Sequence, residues 1–503
     1  METLNNLLMG LSVAFDPINL LYVTIGVIAG MIIGALPGLG PSAGIAILLP
    51  LTFGANPVAG IIMLAGIYYG AMYGGSITSI LVNVPGDSAS VATTLDGYPM
   101  ALAGRAGAAL GMSAFASFIA GTVCVVGFMY LAPALARVAL SFGPPEYFAL
   151  MVLGLTTLAG LTGKYPLKGF LAAVVGLFLS IIGLDLVTGL PRYTFGWREL
   201  YGGVDFITAA MGLFGIAEIL ANSEEAQMDM FLVPKSDLRW RKLFPTVRDW
   251  VASAWHILHA TVVGFFIGLL PGAGATIASF ITYGVAKNTS KHPEKFGQGA
   301  IEGVAAPEAA NNAASVGAMV PLLTLGVPGS ASTAVMMGAL LMFDLRPGPL
   351  LFERNPDFVW GLIGSMYIGN VMLVVLSLVA IPVFVRILQV PRPLLNSVVI
   401  AFILIGTYSL NNSMFDVALT IFFGLVGYLM KKLEIPAAPL VLALVLGNLL
   451  ENSLRQSLIL SNGSAAIFFT RPISGAILAI ALVAMAWPAF ASLRQMVRGR
   501  MAA

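Results

Sequence analysis

Charge is what this sequence has least of. Only 10% of its 503 residues are Asp, Glu, Lys or Arg, while 58% are hydrophobic; soluble globular domains carry about 25% charged residues. So little charge cannot cover a water-facing surface, so an ordinary soluble fold is excluded and the bilayer is the expected solvent. The formal net charge is +2 and the basic residues are scattered singly. No stripe exists that could neutralise a phosphate backbone, which excludes nucleic acid as a partner.

Cysteine and histidine are nearly absent as well. Cys124 is the single cysteine, which excludes an intrachain disulfide and any cysteine metal cluster; in its apolar run it reads as a small buried hydrophobe. His256 and His259 are three residues apart, but no third ligand or HExxH pattern accompanies them, so they read as interfacial residues and no metal site is expected. Gly163-Lys164 is followed by Tyr165 and lacks the earlier glycine of a phosphate-binding loop, which excludes ATP by that route. An intramembrane hydrolase using Ser76 or Ser330 is disfavoured, because the three histidines, His256, His259 and His292, lie in connector regions away from either serine. No enzymatic activity is expected. The N-terminus has neither a basic start nor a small-residue cleavage site, and its first apolar stretch is interrupted at Asp16-Pro17, so no removable signal peptide is expected.

What the sequence does contain is 56 glycines and 29 prolines. In so apolar a chain they point to close helix contacts and broken helices, both common in transporters. Apolar runs of spanning length fall near 18–36, 57–83, 107–132, 146–163, 167–187 and 203–221, then near 251–270, 300–326, 357–388, 393–410, 413–431, 435–450 and 464–490. At roughly 20 residues per crossing, the expected fold is an all-α polytopic membrane protein of about 11–13 spans. The polar stretch 222–250 divides it into 1–221 and 251–503. Lys235, Arg239, Arg241, Lys242 and Arg248 make that connector cytoplasmic by the positive-inside rule, as Arg494, Arg498 and Arg500 do the tail.

The two parts look alike. Gly34-Ala-Leu-Pro-Gly-Leu-Gly40 returns as Gly268-Leu-Leu-Pro-Gly-Ala-Gly274, shifted by 234 residues, and Val84-Pro-Gly86 returns as Val327-Pro-Gly329, shifted by 243. The order is kept and the shift barely drifts, which a duplicated unit explains better than coincidence. Such halves in secondary transporters are often inverted across the membrane, with substrate held where their broken helices meet.

Each Pro-Gly loop should stop one helix and start another, because proline cannot donate a backbone hydrogen bond and glycine tolerates left-handed angles. Ser42 and Thr276 are expected near the N-caps of the restarted helices, where free N–H groups would hold an anion without Lys or Arg. A single such loop would read as a surface turn; the matched pair favours a site. Gly38, Gly40, Gly272 and Gly274 supply the backbone, and Ser76, Asn83, Ser88 and Ser330 add neutral donors and acceptors. The string Ala306-Pro-Glu-Ala-Ala-Asn-Asn312 lies inside a spanning run. A charge at mid-bilayer costs about 2.5–3.5 kcal/mol, so Glu308 needs a partner, a proton or a wet cavity, and Asn311 and Asn312 lie on its helical face. Asn311 and Asn312 are further candidates for the substrate; Asp87 and Glu308 are candidates for a coupling ion.

Four strings, Gly34 to Pro50, Tyr69 to Gly86, Gly268 to Gly274 and Ala306 to Ser330, are together similar to the large membrane subunit of the tripartite tricarboxylate transporters, the TctA family. The resemblance covers nearly the whole chain. It implies a multi-pass importer of the bacterial inner membrane, driven by an ion gradient rather than ATP. It also implies a small carboxylate substrate, a periplasmic solute-binding protein of the TctC type and a small membrane subunit of the TctB type. Na+ or H+ could be the coupling ion, and no other cofactor is expected. A stand-alone secondary carrier or a passive channel is the alternative.

Overall fold

The computed structural model describes residues 2–36, 39–161, 166–185, 189–224, 242–270, 274–379, 392–483 and 485. It is a helical bundle. The helices of the first part are α1 (Glu2–Ala14), α2 (Pro17–Gly34), α3 (Gly40–Leu48), α4 (Pro57–Val82), α5 (Val91–Leu102), α6 (Ala106–Ala139), α7 (Pro144–Leu161) and α8 (Pro166–Ser180), then α9 (Phe206–Ala210) and α10 (Ala217–Glu224). A two-stranded antiparallel ribbon pairs Gly183 with Arg192 and Leu184 with Pro191. A π-helical segment, Met211–Ile216, joins α9 to α10. The second part contains α11 (Val247–Gly268), α12 (Gly274–Thr289), α13 (Glu302–Leu325), α14 (Ala331–Met342), α15 (Pro349–Arg354) and α16 (Pro356–Val379). It ends with α17 (Arg392–Asn411), α18 (Met414–Lys432), α19 (Ala438–Leu460), α20 (Ile467–Thr470) and α21 (Pro472–Val483).

Seven of the described helices are long and apolar enough to cross a membrane, and five shorter apolar helices accompany them. The chain is therefore an all-α, multi-pass membrane protein. Every apolar run read as a crossing overlaps helix, although residues 162–163, 186–187, 380–388, 484 and 486–490 of these runs lie outside the described residues. The four Pro-Gly loops lead into α3, α5, α12 and α14, as the expected break and restart requires. Ser42 and Thr276 differ from expectation by one helical turn at most: the helices start at Gly40 and Gly274, so each hydroxyl residue is the third of its helix. The reason is backbone geometry, since Gly40 and Gly274 take positive φ of 45° and 58° at the break.

Close approach of small residues builds the centre. Gly26, Gly30 and Gly34 of α2 press on the backbone of Met63, Ile67 and Ala71 of α4. Both series rise together, so the two helices run parallel and α3 turns back beside them. Gly264 and Gly268 of α11 press likewise on Ala310 and Ala314 of α13. A Cβ at Gly34 would collide with the Ala71 carbonyl, and one at Gly268 with the Ala314 carbonyl. These two contacts are shifted by the same 234 and 243 residues that separate the sequence motifs.

Across the middle, Ser76 of α4 meets Glu308 of α13, and the Met72 carbonyl meets Asn311. Here one series rises while the other falls, so α4 and α13 run antiparallel. The α2–α4 pair and the α11–α13 pair therefore point in opposite directions.

Ion pairs collect at the two ends of the bundle. At one end Arg105 binds Asp249, and Lys431 and Lys432 bind Glu218 and Glu224. At the other end Asp185, Arg192, Glu451 and Arg455 form a network, and Arg471 binds Glu146. Helices α8 and α19 run from the first end to the second.

Candidate functional site

A cavity of about 810 Å³ gathers residues from all four Pro-Gly loops. Gly40 and Ser42 line it from the first, Pro85 to Ser88 from the second, Gly274 and Thr276 from the third, and Ser330 and Ser332 from the fourth. Two loops touch directly, because the Ser88 hydroxyl lies 2.7 Å from that of Thr276. Gly38 and Gly272, also expected here, lie outside the described residues. The break-and-restart chemistry explains the gathering: each break starts a new helix, and each helix start carries about half a positive charge.

No Lys, Arg or His is among the lining residues; its acids are Asp87 and Glu218. The Glu218 carboxylate is paired with Lys431 at 2.6 Å. Asp87 caps its own turn, accepting from the Ser90 N–H at 2.9 Å. The Ser330 hydroxyl caps α14 in a capping box with Thr333 and lies 3.3 Å from the Tyr68 hydroxyl.

Behind the cavity a second polar group is fully buried. The Glu308 carboxylate accepts hydrogen bonds from Ser76 at 2.6 Å and from Ser113 at 3.0 Å, and a further one from Thr93. Among the described residues no Lys, Arg or His forms an ion pair with it, so three hydroxyls replace the water a carboxylate would otherwise keep. Asn312 donates to the Ser117 hydroxyl at 2.7 Å and to the Glu308 carbonyl at 3.3 Å. Asn311 donates to the carbonyl of Met72, a cavity residue, at 3.2 Å, and its side-chain oxygen is buried without a partner.

The expected residues thus divide into two groups. Gly40, Ser42, Asp87, Ser88, Gly274, Thr276 and Ser330 line the cavity, while Ser76, Glu308, Asn311 and Asn312 form the buried network beside it. Asn83 joins neither: it ends α4 in a left-handed conformation, with φ of 57°. Sequence reasoning missed Thr93, Ser113 and Ser117, which look like ordinary hydroxyls in apolar helices. It also missed Asp96, a buried carboxylate on α5 that accepts the N–H groups of Gly297, Gly299 and Ala300, each at 2.8 Å, and the Tyr283 hydroxyl at 2.9 Å. Among the described residues no cluster of His, Cys, Asp and Glu could hold a metal ion.

The model of the tripartite tricarboxylate transporter TctA family matches residues 20–442. The chain belongs to the TctA family. A 52.8 kDa protein of Agrobacterium vitis, named for its place 3′ of ttuC′ in the TAR-I region, is 44% identical over 494 residues, covering 98% of each chain. A second protein of that organism, named for the corresponding place in the TAR-II region, is 44% identical over 231 residues, which is 46% of this chain and 96% of its own. No solved structure matches. This TctA-family chain is thus a membrane protein of a transport family. The matched span contains all four Pro-Gly loops and the whole Glu308 network.

Proposed function

We propose that this chain is the large permease subunit of a tripartite importer that moves small carboxylates of the tri- or dicarboxylate type across the bacterial inner membrane. In this reading a TctC-type periplasmic protein delivers the substrate and a TctB-type small subunit completes the membrane complex. The observation that carries it is the cavity in which four helix starts converge, whose described lining holds no basic side chain and whose Glu218 is already paired with Lys431. Neutral hydroxyls and backbone N–H groups can hold a carboxylate there and still release it, whereas a buried Arg would hold it too firmly for turnover.

The energetics call for a coupling ion. Each charge moved across 100 mV costs about 2.3 kcal/mol, so a dianion entering against that potential needs about 4.6 kcal/mol. Co-entry of two cations cancels the charge. Asp87 in the cavity and Glu308 behind it are the acids proposed to take part. A proton could reside on Glu308; Na+ could use Asp87 with neighbouring hydroxyl and carbonyl oxygens.

We read the two opposed helix pairs, α2–α4 and α11–α13, as the cores of inverted repeats within 1–221 and 251–503, joined by the connector 222–250. The connector carries Lys235, Arg239, Arg241, Lys242 and Arg248, which supports a cytoplasmic connector by the positive-inside rule. Uptake of labelled carboxylates into vesicles, with Na+ and proton gradients imposed separately and with or without a periplasmic fraction, tests the whole reading. Uptake that needs a gradient and the periplasmic fraction supports it. Uptake that needs neither identifies a passive channel.

A further inference from the structure

A second cavity, of about 900 Å³, lies toward the end of the bundle that holds the Arg192–Glu451 ion pair, and Arg192 is in its lining. Its walls continue those of the central cavity. Along α14, Ser330 to Ser332 line the central cavity, and Gly338, Leu341 and Met342 line the outer one. The chain entering α3 does the same, from Leu39 to Ala43 below and at Phe53 and Gly54 above. The segment opposite gives Phe214 and Glu218 to the first and Asp205 to Ile207 to the second; the start of α19 gives Ala438 to the first and, further along, Leu444, Val445 and Asn448 to the second. Four shared walls are more than two unrelated surface clefts would have.

Between the cavities two of these walls, those on α14 and α19, are apolar and closed. Ala334 to Met337 of α14 and Leu440 to Ala443 of α19 are buried. At the boundary the Phe206 ring sits so close to Gly338 that a Cβ there would overlap it. Irregular backbone marks this place as well, since the π-helical Met211–Ile216 begins one turn beyond Phe206, and single π turns concentrate at functional sites. Arg192 of the outer lining binds Glu451 through Nη1 at 2.8 Å, and among the described residues its buried Nε–H has no hydrogen-bond partner.

We propose that the outer cavity is the extracytoplasmic half of the substrate path, that it receives the carboxylate beside Arg192, and that Phe206 packed on Gly338 is the seal between the halves. This rests on the carboxylate-import reading and on its orientation. The seal then separates the outer cavity from the central one, whose lining includes Glu218, the partner of Lys431, on the proposed cytoplasmic side. Opening the outer half requires Phe206 to leave Gly338.

Site-directed labelling tests this in cells. With Cys124→Ala as background, Asn448→Cys probes the outer cavity and Ala331→Cys the central one. A membrane-impermeant charged thiol reagent added outside should modify Asn448→Cys about tenfold faster than Ala331→Cys. Adding Phe206→Ala should raise the Ala331→Cys rate about tenfold, whereas Phe206→Leu, which keeps a plug, should leave it near the starting value. Citrate or another tri- or dicarboxylate should slow modification of Asn448→Cys. Equal rates at both positions, labelling of Asn448→Cys only from the cytoplasm, or no response of Ala331→Cys to Phe206→Ala would overturn the proposal. If the labelling pattern holds but no carboxylate protects Asn448→Cys, the path stands and the substrate reading fails.

Discussion

Ser88, in the second Pro-Gly loop, and Thr276, in the first turn of α12, share a hydrogen bond of 2.7 Å across the cavity wall. The two residues are 188 positions apart in sequence, and their contact ties the first part of the chain to the second where substrate is proposed to bind. Ser88→Ala and Thr276→Val should each reduce carboxylate uptake. The double variant should be no worse than the more damaging single one, with a coupling energy of about 0.5–1.5 kcal/mol. Uptake losses that simply add would show that the two hydroxyls act separately.

The Glu308 network makes a prediction about stability. Each hydrogen bond to a charged group contributes about 1.5–3 kcal/mol, so Ser76→Ala combined with Thr93→Val should lower the thermal unfolding temperature in detergent, leaving Ser113 as the remaining donor. Glu308→Gln keeps the shape without the charge. It should fold, lose gradient-driven accumulation and keep exchange of internal for external substrate. Accumulation at the wild-type level by Glu308→Gln would remove this residue from ion coupling.

The glycine contacts predict matched effects at matched positions. Gly34→Ala and Gly268→Ala drive a methyl group into the carbonyls of Ala71 and Ala314, and overpacking of this kind costs about 1–3 kcal/mol. Gly284 on α12 has nothing near its would-be Cβ; Gly284→Ala should instead stabilise its helix by about 0.5–1 kcal/mol. Yield and unfolding temperature of the three purified variants decide the matter.

Asp96 should act as an anchor rather than as a substrate ligand. Its carboxylate gathers the N–H groups of Gly297, Gly299 and Ala300 just before α13. In Asp96→Ala, hydrogen exchange at these three amides should speed up while exchange in α2 stays unchanged. Unchanged exchange at residues 297–300 would contradict the anchoring role.

Much of this architecture was legible in the sequence, and what was missed has physical reasons. Apolar runs locate helices because the bilayer requires about 20 apolar residues per span, and the run 57–83 matches α4 within a residue. The short helices α3 and α14 are too short to register as spans, so only the Pro-Gly breaks before them announce them. The cavity was legible because Pro-Gly breaks are local signals that recur. The ligands of Glu308 were not: Thr93 and Ser113 are 215 and 195 residues away from it, and nothing near either residue marks it as a partner. The sequence beside Val84-Pro-Gly86 could not show that Asn83 ends α4 in a left-handed conformation, because that depends on the backbone at the break.

Uptake of labelled carboxylate by vesicles carrying Ser42→Ala together with Thr276→Ala tests most directly whether the converging helix starts hold the substrate. Both side chains line the cavity, and neither is a buried packing residue. Uptake falling by about tenfold or more, with wild-type amounts of folded protein in the membrane, is the predicted result. Wild-type uptake by the double variant would contradict the account.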